Sequence, residues 1–396
     1  MKKILFLIVL LSANNILIAQ IVSKSMNNLP DSGQLASYTT TFGEDNDYQI
    51  NTQSFTNNSN GTITDNVTGL MWQQGDSGEL TIENGITYCD NLVLGGFSDW
   101  RLPTKEESMS ILNFDRNNPA LNTTYFLNTN AEYWWTSTLS FNNANNIWIT
   151  NSGGGTSPKL KTETISAGGI KKFHARAVRT TATPVNVSNF TDNGDTTITD
   201  NVTGLMWQKS PSNTAYTWEQ ALSFAENLTT ATYSDWRLPN IKELVSLNSE
   251  TTNAPSINTA FFPTIVSAKY WSSTTLFTPA ATSAWFNDFQ NSGITSYDLK
   301  TVSHNVICVR GIPNNLAINR IALDFNSMKV APNPFISKIT ISSLNGNESF
   351  ELYDNLQKQI FAAKNIELQD FSMLAKGIYY LKIIADDVKT IKLVKE

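Results

Sequence analysis

Few residues in this sequence belong to the types that carry out chemistry. The chain contains two histidines, His174 and His304, and two cysteines, Cys89 and Cys308. Neither a GxSxG, an HExxH nor a CxxC pattern occurs, so nothing marks a nucleophile or a zinc site. Catalysis requires a positioned acid, base, nucleophile or metal ion. We therefore predict no catalytic residues and no enzymatic activity.

Four carboxylates at matching places could be taken for acid–base groups. Asp99 and Asp235 each precede the tryptophan of a WRLP motif. Glu107 and Glu243 each follow by three residues a Thr or Asn that could begin a helix. We interpret all four as helix caps or as salt-bridge partners of the nearby arginines Arg101, Arg179, Arg237 and Arg310.

Calcium prefers several oxygen ligands at close quarters, and two short acidic segments offer some. The first contains Glu44, Asp45 and Asp47, and the second spans residues 192–195. Each segment is too short for a complete coordination shell, and a turn explains the second one. We expect no cofactor and no metal, with calcium near Glu44, Asp45 and Asp47 as the alternative.

A group of basic residues lies between positions 159 and 179, with Glu163 the only acid among them. A basic patch on an acidic protein can hold an anionic partner such as a sulfated or uronic glycan. We predict an anionic-glycan site made of Lys159, Lys161, Lys171, Lys172, Arg176 and an exposed aromatic residue, Trp134. The alternative is a solvated loop with buried structural arginines.

The composition narrows the class of protein. The chain has 396 residues, a formal net charge of −6 and only 16% charged residues. The length predicts two or three domains. A polar but weakly charged surface suits an extracellular protein, and an acidic balance gives no general attraction for phosphate backbones. We predict no nucleic-acid partner.

The first residues have the pattern of a secretory signal. Lys2 and Lys3 form a basic start, and residues 4–11 form an apolar run too short to span a bilayer. We predict a signal peptide over residues 1–19, cleaved after Ala19, with a retained anchor as the alternative. No later segment is long and apolar enough to predict a membrane span in the mature chain.

One module occurs twice. TITDNVTGLMWQ occupies residues 62–73 and again 197–208, and SDWRLP occupies 98–103 and 234–239. Later motifs keep the same order in both copies. A duplicated fold must keep its core, so we predict that the matched tryptophans are buried and that binding resides where the copies differ. These tryptophans are Trp72/Trp207, Trp100/Trp236, Trp135/Trp271 and Trp148/Trp285.

The elements that position these residues can be predicted in outline. The turn residues 65–69 lie between two β-prone runs, which predicts a hairpin. Helical spacing of apolar residues predicts a helix over 218–228, and capping boxes at Thr104 and Asn240 predict a second helix in each copy. Short strands with long polar loops fill the rest, so we predict an α+β fold with a core in each copy.

These ordered motifs together resemble the Lcl C-terminal domain family, named after a collagen-like adhesin for sulfated glycans. The resemblance divides the chain into modules at 29–182 and 185–313. The WRLP segment with its capped helix is also similar to the RLPTEAEWE segment of formylglycine-generating enzymes. That similarity implies a C-type-lectin-like fold for both modules.

The cysteines depart from the family pattern that the resemblance implies, which is a pair in each domain. Cys89 keeps the helix position of copy one, whereas its strand partner is replaced by Ala177. Cys308 keeps the strand position of copy two, whereas Ala225 replaces its helix partner. We predict two buried free thiols. A bridge between Cys89 and Cys308 is the alternative.

The last residues change in character. Residues 314–328 have the composition of a linker, and alternating strands with turns over 329–396 predict a small all-β domain. The order PNP, LYD, GIYY and a terminal KxVK resembles the C-terminal sorting domain of type IX secretion substrates in Bacteroidota. The resemblance implies an immunoglobulin-like sandwich and a partner in the type IX machinery. An ordinary accessory domain is the alternative.

Taken together, these features predict a non-catalytic binding protein that is secreted or displayed on the outer-membrane surface of a Gram-negative bacterium. We expect an adhesin that recognises glycans or another extracellular ligand. Two alternatives remain open. One is a secreted enzyme of unknown reaction with a cleft between the modules, and the other is a structural surface component.

Overall fold

A computed structural model describes residues 21–127, 129–163, 173–181, 185–311, 330–341, 349–354, 358–363, 366–367, 369–384 and 388–396. The described residues form 23 strands and four short α-helices, so the protein is rich in β-structure. Residues 1–317 belong to one compact unit and residues 318–396 to a second. The predicted signal peptide and linker lie outside the described residues.

Copy one begins with an edge strand and carries two sheets and two helices. Its elements are β1 Ile21–Lys24, β2 Phe55–Asn57, β3 Thr62–Asp65, β4 Leu70–Gln73, α1 Ile82–Asp90, α2 Lys105–Ser110, β5 Tyr133–Leu139, β6 Asn146–Asn151, β7 Thr156–Leu160, β8 Phe173–His174 and β9 Val178–Thr180. The sheet orders are β2-β3-β4-β9 and β7-β6-β5-β8.

Copy two repeats this arrangement. Its elements are β10 Val185–Ser188, β11 Phe190–Asp192, β12 Thr197–Asp200, β13 Met206–Gln208, α3 Trp218–Glu226, α4 Ile241–Ser246, β14 Lys269–Thr275, β15 Ser283–Asp288, β16 Ile294–Leu299 and β17 Val309–Arg310. The sheet orders are β11-β12-β13-β17 and β14-β15-β16. Strand β10 pairs with β1, so the N-terminal strand of copy one is held by the start of copy two.

The predicted hairpin is confirmed in both copies. In copy one, Ile63 of β3 pairs with Trp72 of β4. The carboxylate of Asp65 accepts the backbone N–H groups of Val67 and Thr68, at 3.0 and 3.2 Å. Gly69 follows with φ near +73°, a conformation that favours glycine. These local contacts explain why the segment TITDNVTGLMWQ, residues 62–73, recurs unchanged at 197–208.

The predicted helix starts are confirmed as well. Thr104 and Glu107 form a reciprocal capping box at the start of α2, and Asn240 and Glu243 do so at α4. Thr217 begins α3 with a third capping box. Each box satisfies backbone N–H groups that a helix start leaves unpaired, which fixes short helices directly after the WRLP segments.

The matched tryptophans are buried, as the duplication predicted. All eight indoles, in four matched pairs, are 3% exposed or less. Trp135 packs with Cys89 of α1 in an apolar cluster of copy one. Trp271 packs with Cys308 and Ala225 in the equivalent cluster of copy two. Both cysteines are buried free thiols, as predicted.

The two copies also share a core, which differs from the predicted separate cores. Phe114 of copy one meets Trp285 of copy two edge to face, with ring centroids 5.3 Å apart. Met109 at α2 and Val245 of α4 belong to the same apolar cluster. The reason for the difference is that α2 and α4 lie against each other, so that apolar side chains of both copies pack into one cluster. We call this contact region the seam.

The second compact unit is an all-β domain. Its strands are β18 Val330–Ala331, β19 Thr340–Ile341, β20 Ser349–Asp354, β21 Gln359–Ala363, β22 Gly377–Ile384 and β23 Val388–Lys395. Strands β21-β20-β22-β23 form one antiparallel sheet, and β18 pairs with β19. Phe335, Leu352 and Leu381 lie in its buried apolar core. The predicted all-β character is confirmed for those residues of this unit that the structure describes.

Across the part of the chain that is described, no helix combines the length and the apolar character that crossing a membrane would require.

Candidate ligand-binding site

The duplicated charged residues pair with one another. Arg237 holds Glu243 with two hydrogen bonds of 2.6 Å, and both side chains are buried. Arg101 holds Glu107 in the same way at 2.7 and 2.8 Å, but its own side chain is 37% exposed. Burial would raise the pKa of Glu107, but Arg101 lowers it below the usual value. The interpretation of these carboxylates as caps and salt-bridge partners is confirmed.

Asp99 and Asp235 pair with the remaining two arginines. Arg179 donates to Asp99 at 2.6 and 3.1 Å, and Arg310 donates to Asp235 at 2.7 and 2.9 Å. The guanidinium groups lower the pKa of both carboxyls. A carboxylate held in this way stays ionised and makes a poor general acid.

The structure corrects the prediction for Trp134 and Arg176. Trp134 is only 5% exposed, and its indole Nε1 donates to Asp76 Oδ2 at 3.2 Å. Arg176 is 2% exposed and donates to the carbonyl oxygens of Gln74 and Gly75, both at 2.6 Å. These two side chains hold the interior of copy one and do not form a surface patch.

Sequence reasoning missed the buried group at the centre of this network. Asp76 Oδ1 accepts a 2.8 Å hydrogen bond from His174 Nδ1. The second oxygen, Asp76 Oδ2, lies 3.7 Å from the guanidinium group of Arg176. Burial alone would raise the pKa of Asp76, but the bond with His174 and the charge of Arg176 lower it to about 2. Burial lowers the pKa of Arg176 to about 10. The signal for this network was the joint replacement in copy two of Trp134, His174 and Arg176 by Tyr270, Asn305 and Ile307.

The predicted lysines are brought together only in part. Lys159 lies on β7 with Nζ 5.5 Å from the centre of the Tyr133 ring and 3.8 Å from Glu163 Oε1. Lys161 follows at the end of the same hairpin and is partly exposed. Lys171 and Lys172 lie outside the described residues. The structure therefore places two of the six predicted residues at the accessible end of β7.

The acidic segment of the calcium alternative is bound by protein donors. Asp47 Oδ2 accepts the backbone N–H groups of Gly43 and Glu44, at 2.9 and 3.1 Å. Thr274 and Thr275 of copy two donate their hydroxyl groups to Asp45 and Glu44. Burial raises the pKa of Asp45 well above its ordinary value. Among the described residues no group of three His, Cys, Asp or Glu is arranged to hold a metal ion.

A cavity of about 270 Å³ lies at the seam, where the enzyme alternative would place a cleft. Of the acidic residues that line it, Asp200 accepts three hydrogen bonds from Val202 and Thr203, and burial raises its pKa to about 6. Of the two lysines that line it, Lys242 donates to the carbonyl oxygens of Asp31 and Ser110, at 2.7 and 2.8 Å. Burial lowers the pKa of Lys242 to about 7. Lys242 thereby joins the two copies, whereas the hydrogen bonds of Asp200 lie within copy two.

A second, more open concavity lies on the surface where the sheet edges of the two copies meet. This groove, which we call the seam groove, has a volume of about 510 Å³ and takes residues from both copies. Copy one contributes loops around Asn117, Asn118 and Asn151, and copy two contributes Trp285 and Tyr297. The groove therefore exists only because the module is duplicated.

The polar side of the seam groove is built from asparagines. Asn151 Oδ1 accepts the backbone N–H groups of Gly153 and Gly155, at 2.8 and 3.1 Å. A Cβ atom added to Gly153 would lie 3.2 Å from Asn151 Oδ1, 3.6 Å from Asn117 Oδ1 and 4.0 Å from Asn118 Oδ1. Three amide oxygens thus converge on the space above one glycine.

The aromatic side of the seam groove belongs to copy two. Tyr297 is 53% exposed. Its ring lies 5.6 Å from the ring of Trp285, which is buried beneath it at 3% exposure. The two rings meet edge to face, at 80°, and about half of the Tyr297 side chain stays accessible to a ligand.

The two copies match a known family. The model of the Lcl C-terminal domain matches residues 61–179 and 196–310, which is more than half of the chain. The chain belongs to the Lcl C-terminal domain family. In this Lcl C-terminal domain protein, residues 329–396 match the secretion system C-terminal sorting domain. Both resemblances predicted from the sequence are confirmed.

The sorting domain determines the location of this Lcl C-terminal domain protein. Such a tail implies interaction with the type IX secretion machinery, and the protein is secreted or displayed on the surface of a Gram-negative bacterium, as predicted. No curated protein matches the chain. One similar solved structure is PorZ, an essential surface component of the type IX secretion system of Porphyromonas gingivalis.

PorZ is 11% identical to this chain, with a TM-score of 0.18. The match covers 63% of this chain and 29% of PorZ, so the chain spans less than a third of the length of PorZ. A similarity of that size carries no conclusion about fold or function.

Proposed function

We propose that this protein is a non-catalytic, surface-displayed binding protein of the adhesin type, and that it binds a glycan in the seam groove. The single observation that carries the proposal is the pairing, in one open groove, of an exposed tyrosine ring with several asparagine side chains. Tyr297 offers an aromatic face, and Asn117 and Asn118 offer amides. Ligand sites in proteins commonly combine such an apolar wall with a few convergent polar groups.

The absence of catalysis is part of this proposal. The carboxylates shared by the two copies are held by arginines, and Asp76 is held by His174 and Arg176. Groups fixed in this way give a substrate no free acid or base. The proposal includes no cofactor.

We extend the proposal to the fold names that the sequence implied. Each copy would be a C-type-lectin-like module, supported by two short helices beside small antiparallel sheets. The tail would be an immunoglobulin-like sandwich, supported by its two antiparallel sheets around one apolar core.

A second candidate is an anionic glycan bound at the end of β7. Lys159 and Lys161 are the predicted residues that favour it, since both are at least partly exposed. Binding of that kind depends on charge and weakens as salt is added.

A glycan array tests the proposal. We expect the full chain to bind at least one glycan, and Tyr297→Ala to lose that binding because the aromatic face is gone. Tyr380→Ala is the matched control, since Tyr380 is an exposed tyrosine of the sorting domain at 37% exposure. An array without any bound glycan would overturn the proposal and favour a structural surface component.

A further inference from the structure

We infer that copy one carries an open docking surface for an acidic peptide segment of another extracellular protein. On copy two, the equivalent surface is covered by a segment of this chain itself. We call that segment the strap, and it comprises residues 31–48, which precede the first hairpin of copy one. The inference concerns a protein partner and does not rest on the glycan proposed for the seam groove.

The strap is seated on copy two at the end of strand β14. The hydroxyl group of Thr275 donates to the carboxylate of Glu44. The hydroxyl group of Thr274 donates to the carboxylate of Asp45, and Gln34 Oε1 accepts the backbone N–H of Thr275 at 2.8 Å. Glu44 and Asp45 are 0% and 3% exposed, so both carboxylates are buried in this contact.

Hydroxyl groups and an aromatic ring of the strap complete the contact. The hydroxyl group of Tyr48 donates to Glu226 at 2.8 and 2.9 Å, and its ring lies 5.5 Å from the guanidinium group of Arg237. Thr39 Oγ1 donates to Glu219 Oε2 at 2.9 Å. The side chain of Arg237 is 5% exposed in this contact. The strap therefore binds copy two through carboxylates, hydroxyl groups and one aromatic ring.

Copy one has the same local structure at the equivalent place. Thr138 Oγ1 accepts the backbone N–H of Lys105 at 2.9 Å. In the same way, Thr274 Oγ1 accepts the backbone N–H of Ile241 at 3.0 Å. These matching bonds show that Thr138 stands where Thr274 does, so the following residue, Leu139, takes the place of the next residue of β14.

This surface of copy one is open to solvent. Arg101 takes the place of Arg237 in the WRLP motif, and its side chain is 37% exposed. Leu139 is 51% exposed, whereas its counterpart Thr275 is 1% exposed. Ser137 of the same strand is exposed as well. Copy one therefore presents to solvent a surface that copy two keeps buried under the strap.

Helix α1 supplies hydrogen-bond acceptors for this surface. Glu83 and Asp90 are exposed and take the places of the strap-binding residues Glu219 and Glu226 of α3. Ionised carboxylates accept hydrogen bonds and donate none, so they suit a partner that carries tyrosine or threonine hydroxyl groups.

The differences between the two surfaces define the partner segment further. The Thr138 hydroxyl and the guanidinium group of Arg101 suit a carboxylate at the place of Asp45. Leu139 has no hydroxyl group for an acid at the place of Glu44, so an apolar residue fits there instead. The expected segment carries an apolar residue, then an aspartate, and a tyrosine three residues after the aspartate.

The experiment measures binding of fluorescently labelled synthetic peptides to the full chain by fluorescence anisotropy. The reference peptide has the sequence of residues 31–50. A second peptide carries Glu44→Leu, which introduces the expected apolar residue. A third peptide carries Glu44→Leu together with Asp45→Asn, which removes the carboxylate that follows.

We expect the Glu44→Leu peptide to bind the full chain about tenfold tighter than the reference peptide, because it buries an apolar side chain against Leu139. Adding Asp45→Asn should weaken binding about tenfold. The protein variant Leu139→Thr, which gives copy one the residue of copy two, should reverse the preference between the first two peptides.

Two protein variants locate the binding surface. Leu139→Asp should weaken binding of the Glu44→Leu peptide about tenfold or more. Ile336→Asp is the matched control, since Ile336 is an aliphatic residue of the sorting domain at 67% exposure, and it should bind as the wild type does. Both changes are at exposed side chains, and melting temperatures identify any variant that fails to fold.

Three outcomes would overturn the inference. The first is no binding of the Glu44→Leu peptide at about 1 mM. The second is equal binding to the wild type and to Leu139→Asp, which would place the peptide elsewhere. The third is self-association of the full chain in sedimentation velocity that Leu139→Asp abolishes, since the occupant would then be a second copy of this chain. None of these outcomes bears on the glycan array, so the proposed function is tested separately.

Discussion

The backbone N–H of Thr156 in copy one donates to the hydroxyl oxygen of Thr295 in copy two over 2.7 Å. Both residues are buried, at 1% and 6% exposure. This hydrogen bond joins the edge strand β7 to the edge strand β16. Sheet edges carry unpaired backbone groups that must find partners when they are buried. The seam groove lies directly beside this junction, since Thr295 is also one of its lining residues.

Thr295→Val is expected to weaken the seam. The substitution leaves the buried N–H of Thr156 without an acceptor, which costs about 1–3 kcal/mol. The melting temperature of the two-copy unit should fall. Thr295→Ser keeps the hydroxyl group and is the matched control, so it should stay close to the wild type. Equal melting temperatures for the valine and serine variants would contradict this account of the junction.

The two Arg–Glu pairs are expected to differ in strength. Glu243→Gln removes the charge that compensates the buried Arg237, and breaking a buried pair costs about 3–5 kcal/mol. Glu107→Gln affects Arg101, whose side chain is 37% exposed and therefore reaches water. Glu107→Gln should therefore cost less than Glu243→Gln, because the guanidinium left without its partner can be solvated. The midpoint of urea unfolding, measured by tryptophan fluorescence, should shift more for Glu243→Gln than for Glu107→Gln. A larger shift for Glu107→Gln would contradict burial of the arginine as the cause of the difference.

Asp76 should make the protein sensitive to acid. Its folded pKa of about 2 lies below its ordinary value of 3.8. The carboxyl therefore contributes stability above about pH 4, and this contribution of roughly 2–3 kcal/mol is lost as the pH falls toward 2. Asp76→Asn should be less stable at neutral pH and should show a flatter decline in that acid range. If the wild type and Asp76→Asn gave parallel curves of unfolding free energy against pH, a lowered pKa of Asp76 in the folded protein would be contradicted.

Restoring one cysteine pair should create a disulfide. Cys89 and Ala177 are fully buried in the same apolar cluster. Ala177→Cys is expected to bridge to Cys89 and to stabilise the protein by about 2–4 kcal/mol. After denaturation without reductant, the variant should show one free thiol and the wild type two. Ala175→Cys is a useful control, because its neighbour on α1 is Gly85 and not Cys89. Three free thiols in Ala177→Cys would mean that the two side chains do not face each other.

The sequence predicted the parts of the fold that depend on local contacts. The hairpin at Asp65 and the capping boxes at Thr104 and Asn240 involve residues only a few positions apart. The burial of the matched tryptophans followed from the duplication itself, because both copies need the same core. These features could be predicted because each has a signal in the local sequence or in the repeat.

The seam could not be predicted, because it depends on residues far apart in the chain. The contact of Thr156 with Thr295 and that of Phe114 with Trp285 have no signal in the local sequence. The seam groove and the exposure of Tyr297 follow from these contacts. They were missed for the same reason.

Trp134 and Arg176 were assigned to the surface because they differ between the copies. The cause of this difference lies in the core, because copy one buries Asp76 and must surround its carboxylate with hydrogen-bond donors. Copy two has Pro211 in the corresponding region and needs no such donors. Divergence between two copies therefore marks a change in the core as readily as a ligand site.

The most direct test of the account is a crystal structure of the full chain with the oligosaccharide that binds best. We predict density for a sugar ring against the exposed face of Tyr297, with its hydroxyl groups toward Asn117, Asn118 and Asn151. Density at Lys159 and Lys161, or in the cavity beside Lys242, with the seam groove empty, would contradict it.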